Sequence, residues 1–197
     1  MYLDKIKYLV QKSVDTKVAL LQDSELLDKI EQLAGQCSLA LKDGGKIIFC
    51  GNGGSFADAQ HISAELTSRF LFDRPGLASL ALGTNSSTMS AIGNDYGYEN
   101  VFAREIQAIA SPDDVLIAIT TSGNSVNIIE ALEAAKEANV ASVVLTGASR
   151  GNLPHGIDVI SVPSKDTARI QECHILIGHI ICELVESDIF KDLAPSS

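Results

Sequence analysis

From residue 1 to about 21, apolar positions (Leu3, Ile6, Leu9, Val10, Val14 and Val18) recur every three or four residues, the spacing of an amphipathic helix. Asp23 or Ser24 can cap a second helix carrying Leu26, Leu27, Ile30, Leu33 and Leu39 to about Leu41. Asp43-Gly44-Gly45 breaks it, and the period then changes. Short Ile/Val/Leu runs at 46–50, 77–82, 115–119, 141–145 and 159–162 read as strands. Between them lie helical stretches at 55–70, 87–92, 99–110 and 126–138, and a long one at 167–189 closes the chain. Residues 192–197 read as a frayed tail. Strands alternating with helices predict a three-layer αβα sandwich around a five-stranded parallel sheet, preceded by N-terminal helices. The expected strand order is 2-1-3-4-5, flavodoxin-like, with the switch point between strands one and three.

Length and composition narrow this picture. At 197 residues with 46% hydrophobic and 5% aromatic residues, the chain reads as one aliphatic-cored domain spanning 1–197. Its formal net charge of −10 argues against nucleic acid as a partner. No apolar run reaches the length of a membrane span and no signal-peptide core opens the chain, so a cytoplasmic protein with no membrane partner is expected. Cys37, Cys50, Cys173 and Cys182 form no Cys-x-x-Cys pair and read as buried free thiols.

The candidate chemistry begins where strand one turns through Gly51-Asn52-Gly53-Gly54-Ser55 into a helix. Glycines allow close backbone approach, and a helix start offers unpaired N–H groups to a phosphate. A second hydroxyl-rich turn, Thr120-Thr121-Ser122-Gly123-Asn124-Ser125, ends strand three. In the expected order the two loops flank the switch point and converge on one ligand. Nucleotide readings fit poorly. Phe56 stands where a dinucleotide loop has its third glycine, Gly83-Thr84 replaces the ribose-binding acid, and no Lys-Ser/Thr completes a P-loop.

His61 and Glu65 lie at i, i+4 on the helix leaving the first loop. Taken alone, such a pair reads as a half-buried histidine beside a solvated carboxylate. The last helix changes that balance: apolar almost all round, it nevertheless carries Gln171, Glu172, His174 and His179, which need partners once buried. Gln171 and His179 project roughly 80° apart. Glu172 lies closer to the direction of His179, as a candidate for orienting its ring. His174 points elsewhere and reads as a packing histidine. Two uses remain open: a proton-shuttling pair, or a divalent metal site of His61, Glu65, Gln171 and His179.

At these residues the chain resembles the sugar isomerase (SIS) domain family and, within it, the phosphoheptose isomerase branch. The shared motifs are Cys50 to Ser55, Asp58-Ala59-Gln60-His61 with Ala64-Glu65-Leu66, Gly93-Asn94-Asp95, Thr121 to Ser125, and Arg169-Ile170-Gln171-Glu172 with His179. The resemblance implies an aldose–ketose isomerase converting D-sedoheptulose 7-phosphate to D-glycero-D-manno-heptose 7-phosphate, the first step towards the ADP-heptose of lipopolysaccharide. It implies Glu65 as base and His179 as acid of an enediol mechanism. Asn52, Gly53, Gly54, Ser55, Glu65, Asn94, Asp95, Thr120, Thr121, Ser122, Ser125 and Gln171 would line the substrate. It further implies one zinc per subunit on His61, Glu65, Gln171 and His179, no nucleotide cofactor, and a homotetramer whose assembly residues 1–42 assist. Whether His61 is a ligand or a substrate contact stays open. Two rival readings come from the same resemblance. One is a non-catalytic scaffold that binds a replication initiator, a branch lacking the equivalent of Glu65; the other is a sugar-phosphate sensor, usually joined to a DNA-binding domain.

Overall fold

The computed structural model describes residues 2–193. Two helices, α1 (Tyr2–Gln22) and α2 (Ser24–Lys42), precede β1 (Ile47–Gly51) and α3 (Gly54–Thr67). Next come β2 (Ser79–Ala81), α4 (Ser86–Tyr96), a 3-10 turn (Tyr98–Asn100) and α5 (Val101–Ile109). The chain finishes with β3 (Val115–Ile119), α6 (Val126–Glu137), β4 (Ala141–Thr146), β5 (Asp158–Ser161) and α7 (Thr167–Ile189). The five strands are all parallel, in the order β2-β1-β3-β4-β5. The expected fold class and strand order both hold. Of the tail assigned to 192–197, residues 194–197 lie outside the described residues, as does Met1 at the predicted start of the first helix.

The alternation of side chains along each strand explains the three layers. Ile47, Phe49, Val115, Ile117, Ile119, Val143 and Leu145 face one core with α2, α3 and α7. Ile48, Cys50, Leu116, Ala118 and Val144 face a second core, shared with α5 and α6. β1 and β3 are buried along their whole length, which is why they read as unbroken apolar runs.

The four cysteines are buried and free, as expected. Burial pushes the thiols of Cys50 and Cys182 up to about 12, so neither supplies a thiolate at neutral pH. Among the described residues, no helix is long and apolar enough to cross a membrane.

Several boundaries differ from the expectation. α3 ends at Thr67, three residues short of the predicted end at 70. The buried Arg74 guanidinium donates to the carbonyls of Glu65, Leu66 and Ser68, drawing off the groups a longer helix would use. β2 keeps only 79–81 of the predicted 77–82; at its start the Leu77 N–H donates to the Leu66 carbonyl of α3, at 3.0 Å, in place of a strand partner. α4 is longer than its predicted 87–92. Asn85 caps it, accepting from the Ser87 and Thr88 N–H groups, and Gly93-Asn94-Asp95 lies inside the helix rather than in a loop. The predicted helix at 99–110 begins as the 3-10 turn.

α2 joins the sheet-facing core, whereas α1 buries only Leu20 and meets α7 through polar contacts. These are Lys12 Nζ to Asp166 at 2.7 Å, Ser13 Oγ donating to Glu172 at 2.6 Å, and Arg169 donating to the Leu9 carbonyl at 3.1 Å.

Candidate functional site

β1 and β3 are hydrogen-bonded neighbours with Gly51 level with Ile119, so the loops that follow them emerge side by side. Gly53 takes φ +57°, and Gly123 takes φ +67° with its Cα against the Arg150 carbonyl; both values favour glycine. The N-termini of α3 and α6 have no side-chain cap, whereas α2, α4 and α7 are capped by Asp23, Asn85 and Asp166. The two helices beside the switch point therefore keep their first N–H groups for another acceptor.

A reciprocal amide pair ties the loops together. Asn52 Nδ2 donates to Asn127 Oδ1 at 2.8 Å, and Asn127 Nδ2 returns a bond to Asn52 Oδ1 at 2.9 Å. The Tyr98 hydroxyl adds a third donor to Asn52 Oδ1, at 3.3 Å. Thr120 Oγ1 and Ser122 Oγ are used within their own loop, accepting from the Gly123 and Asn124 N–H groups. Thr121 and Ser125 make no side-chain hydrogen bond among the described residues, and Ser55 is buried at the start of α3.

The second half of the site forms where α3 and α7 run in parallel. A Cβ at Gly54 would lie 2.6 Å from Gln171 Nε2, and one at Gly178 would lie 2.3 Å from Ile62 Cδ1. Two glycines thus let the helices touch, and in that register His61, Glu65 and His179 meet. His61 Nε2 lies 3.0 Å from Glu65 Oε1 and 3.5 Å from His179 Nε2. The ring of Phe70 stacks on that of His179, with centroids 5.6 Å apart and planes 24° apart. One donor atom from each of His61, Glu65 and His179 lies within 4.8 Å of the other two, and this nitrogen–nitrogen–oxygen set suits a cation such as zinc. Gln171 lies at the first turn of α3, against Gly54.

Other expected residues fall elsewhere. Asn94 and Asp95 are exposed on α4, where Asn94 Nδ2 donates to Asp95 Oδ1 at 2.7 Å. The expectation that Glu172 orients His179 is corrected: its carboxylate accepts from Ser13 and Arg169, on the side of α7 that meets α1. Burial alone would raise the Glu172 carboxyl, but these donors outweigh it and hold it below the ordinary range. His174 is the buried packing residue expected of it. Its Nε2 donates to the Thr146 carbonyl at 3.2 Å, and burial pushes its pKa down to about 4.

Asn127, Tyr98, Glu186, Phe70 and Arg74, all at or around the site, escape sequence reasoning. Asn127 was the most accessible of them, a lone amide in the apolar start of α6. Glu186 lies four residues beyond Cys182 on the buried stripe of α7, a signal of the same kind. Nothing local marks Phe70 or Arg74. Asp58 is half-buried beside His61 and His179, and burial raises its carboxyl against the pull of those two rings.

Residues 12–147 match the family model described as SIS domain. The chain is 55% identical to the phosphoheptose isomerase of Aneurinibacillus thermoaerophilus over 190 residues, covering 96% of each. Among solved structures, a phosphoheptose isomerase from Francisella tularensis superposes with TM-score 0.89 at 36% identity, over 95% of this chain and 99% of that one. The phosphoheptose isomerase from Neisseria gonorrhoeae gives 0.86 at 39% identity, over 95% and 100%.

Proposed function

The chain belongs to the SIS-domain family, in its phosphoheptose isomerase branch, and from that premise we propose that it interconverts D-sedoheptulose 7-phosphate and D-glycero-D-manno-heptose 7-phosphate. It is a sugar-phosphate isomerase. The proposed pathway role is the first step towards ADP-heptose and lipopolysaccharide. The whole chain acts as one SIS unit, with residues 1–42 serving packing and assembly.

The observation that carries the reading is the meeting of Glu65 and His179 on the two helices whose first turns border the glycine loop. Gly54, Asp58, His61 and Glu65 recur at i, i+4, i+7 and i+11, along one face of α3. Free N–H groups and the acid/base pair thus stand at opposite ends of a strip about 16 Å long. A substrate held by a terminal phosphate needs a carbon chain between that phosphate and the reacting carbonyl, and a 7-phosphate has one.

In the proposed mechanism, the N–H groups of Gly53 and Gly54 and those at the start of α6 hold the phosphate. Thr120, Thr121, Ser122 and Ser125 line the same seat beside Asn52 and Ser55. Gln171 and, from α4, Asn94 and Asp95 contact the sugar. This remote grip positions the reacting end. A Glu65 carboxylate oxygen takes the C1 proton of the ketose while His179 protonates the C2 oxygen, leaving an enediol. Glu65 then returns the proton to C2, and the O1 proton passes to His179, which completes the aldose. His61, Glu65 and His179, whose donor atoms converge, would hold a zinc ion, with Gln171 as the proposed fourth ligand if its side chain turns from Gly54 toward them; when bound, the ion supplies Lewis-acid polarisation of the carbonyl oxygen.

Purified protein incubated with sedoheptulose 7-phosphate should form the aldose, followed by NMR. Glu65→Gln should lose about 100-fold or more in kcat. Undiminished turnover in that variant would remove Glu65 from the mechanism. Elemental analysis before and after chelation, alongside activity, tests the zinc; equal activity in a metal-free sample removes it.

A further inference from the structure

Arg74 and Glu186 lie 112 residues apart in sequence, yet their side chains meet with no solvent exposure, Arg74 Nε donating to Glu186 Oε1 at 2.7 Å. Every nitrogen of the guanidinium is used. Nη1 donates to the carbonyls of Leu66, Ser68 and Pro75, and Nη2 donates to the carbonyl of Glu65 at 2.9 Å. Both carboxylate oxygens are used as well: Oε1 also accepts from Phe70 N–H at 2.9 Å, and Oε2 accepts from Leu71 N–H at 2.7 Å.

This pair does more than close a turn. One arm grips the backbone of Glu65; the other fixes the backbone of Phe70, whose ring makes an offset stack on that of His179. A buried ion pair is by itself weak support for stability, since desolvation offsets its attraction. Full hydrogen bonding of both partners, however, over-determines the local geometry. We propose that Arg74, Glu186 and Phe70 are positioning residues that hold the Glu65 backbone and the His179 ring in working register. The inference rests on reading Glu65 and His179 as the reacting pair. It adds that their alignment is set from behind, by a dry ion pair that touches no substrate.

The test uses the full chain with Phe70→Leu, Phe70→Tyr and Glu186→Gln. Phe70→Leu keeps an apolar filler but removes the flat ring. It should lower kcat about tenfold or more while KM and the thermal midpoint stay near the wild-type values, as expected for a misplaced catalytic group. Phe70→Tyr should restore kcat. Independently of turnover, the 1H–13C ring signals of His179, assigned with His179→Asn, are recorded in ligand-free protein. They should be narrow in the wild type and Phe70→Tyr, and broadened or split in Phe70→Leu and in folded Glu186→Gln. Wild-type kcat in Phe70→Leu, a parallel fall of kcat and thermal midpoint that Tyr does not rescue, or unchanged His179 line widths would each overturn the proposal. Should Glu186→Gln fail to fold, the two Phe70 variants decide alone. Should the wild type not isomerise the heptose phosphate, the proposed substrate falls and the His179 line widths decide the positioning role by themselves.

Discussion

Individual residues reveal what burial demands of them, and His174 is the clearest case. In the folded chain it stays neutral down to about pH 4, whereas an unfolded chain's histidine takes up its proton near 6.5. Between those values the unfolded state binds more protons, so the stability this residue contributes is complete above pH 6.5 and is lost as pH falls towards 4. The component amounts to about 3 kcal/mol. Urea melts at pH 7.5, 6 and 4.5 should show the decline, and His174→Gln, whose amide can still reach the Thr146 carbonyl, should flatten it. An equally steep decline in that variant would assign the effect to other groups. At this scale the sequence was partly legible. His61, Glu65 and His179 stood out because polar residues on apolar faces need partners. Glu172 was misassigned because helix angle alone does not say which neighbour a face meets, and α1 lies on that one. Glu186 was marked as a polar residue on the buried stripe of α7, but Arg74, 112 residues away, was hidden because nothing near it in sequence announces the pair.

Elements were more legible than their ends. Strand runs and the change from one period to another predicted every strand and the sheet order, since a parallel sheet buried on both faces admits few other patterns. The end of α3 was not readable, because a guanidinium from beyond the helix takes its last carbonyls. The contact between α3 and α7 is the element-level feature with the sharpest consequence. At Gly178 an added methyl would meet two carbons of Ile62, at 2.3 and 2.7 Å, inside the core. Gly178→Ala should therefore lose about 1–2 kcal/mol by overpacking, despite the helix propensity it gains. A lower urea midpoint at unchanged slope checks this. A midpoint at or above that of the wild type would mean that Ile62 can move aside. Because the same contact sets His61 beside His179, the variant should also raise the His179 line widths.

Across the whole molecule, the exposed side of α1 stands apart. Leu3, Ile6, Val10, Val14, Val18 and Leu21 form an apolar stripe open to solvent. A stripe of this kind fits the homotetramer that the family resemblance implies. Ile6→Glu with Val14→Glu should reduce the mass seen by light scattering while leaving the circular dichroism of the fold intact. An unchanged mass would place the assembly surface elsewhere. The charge balance has a different consequence, one of rates. The loops at 51–55 and 120–125 hold no lysine or arginine, so they offer a phosphate oriented dipoles within a chain of net charge −10. An anionic sugar phosphate then approaches against a repulsive long-range field and is gripped only on arrival. Added salt shortens the reach of that field to about 8 Å at physiological ionic strength while hardly weakening short N–H contacts. For most enzymes of anionic substrates, salt slows encounter; here kcat/KM should rise as sodium chloride is raised from low to physiological strength.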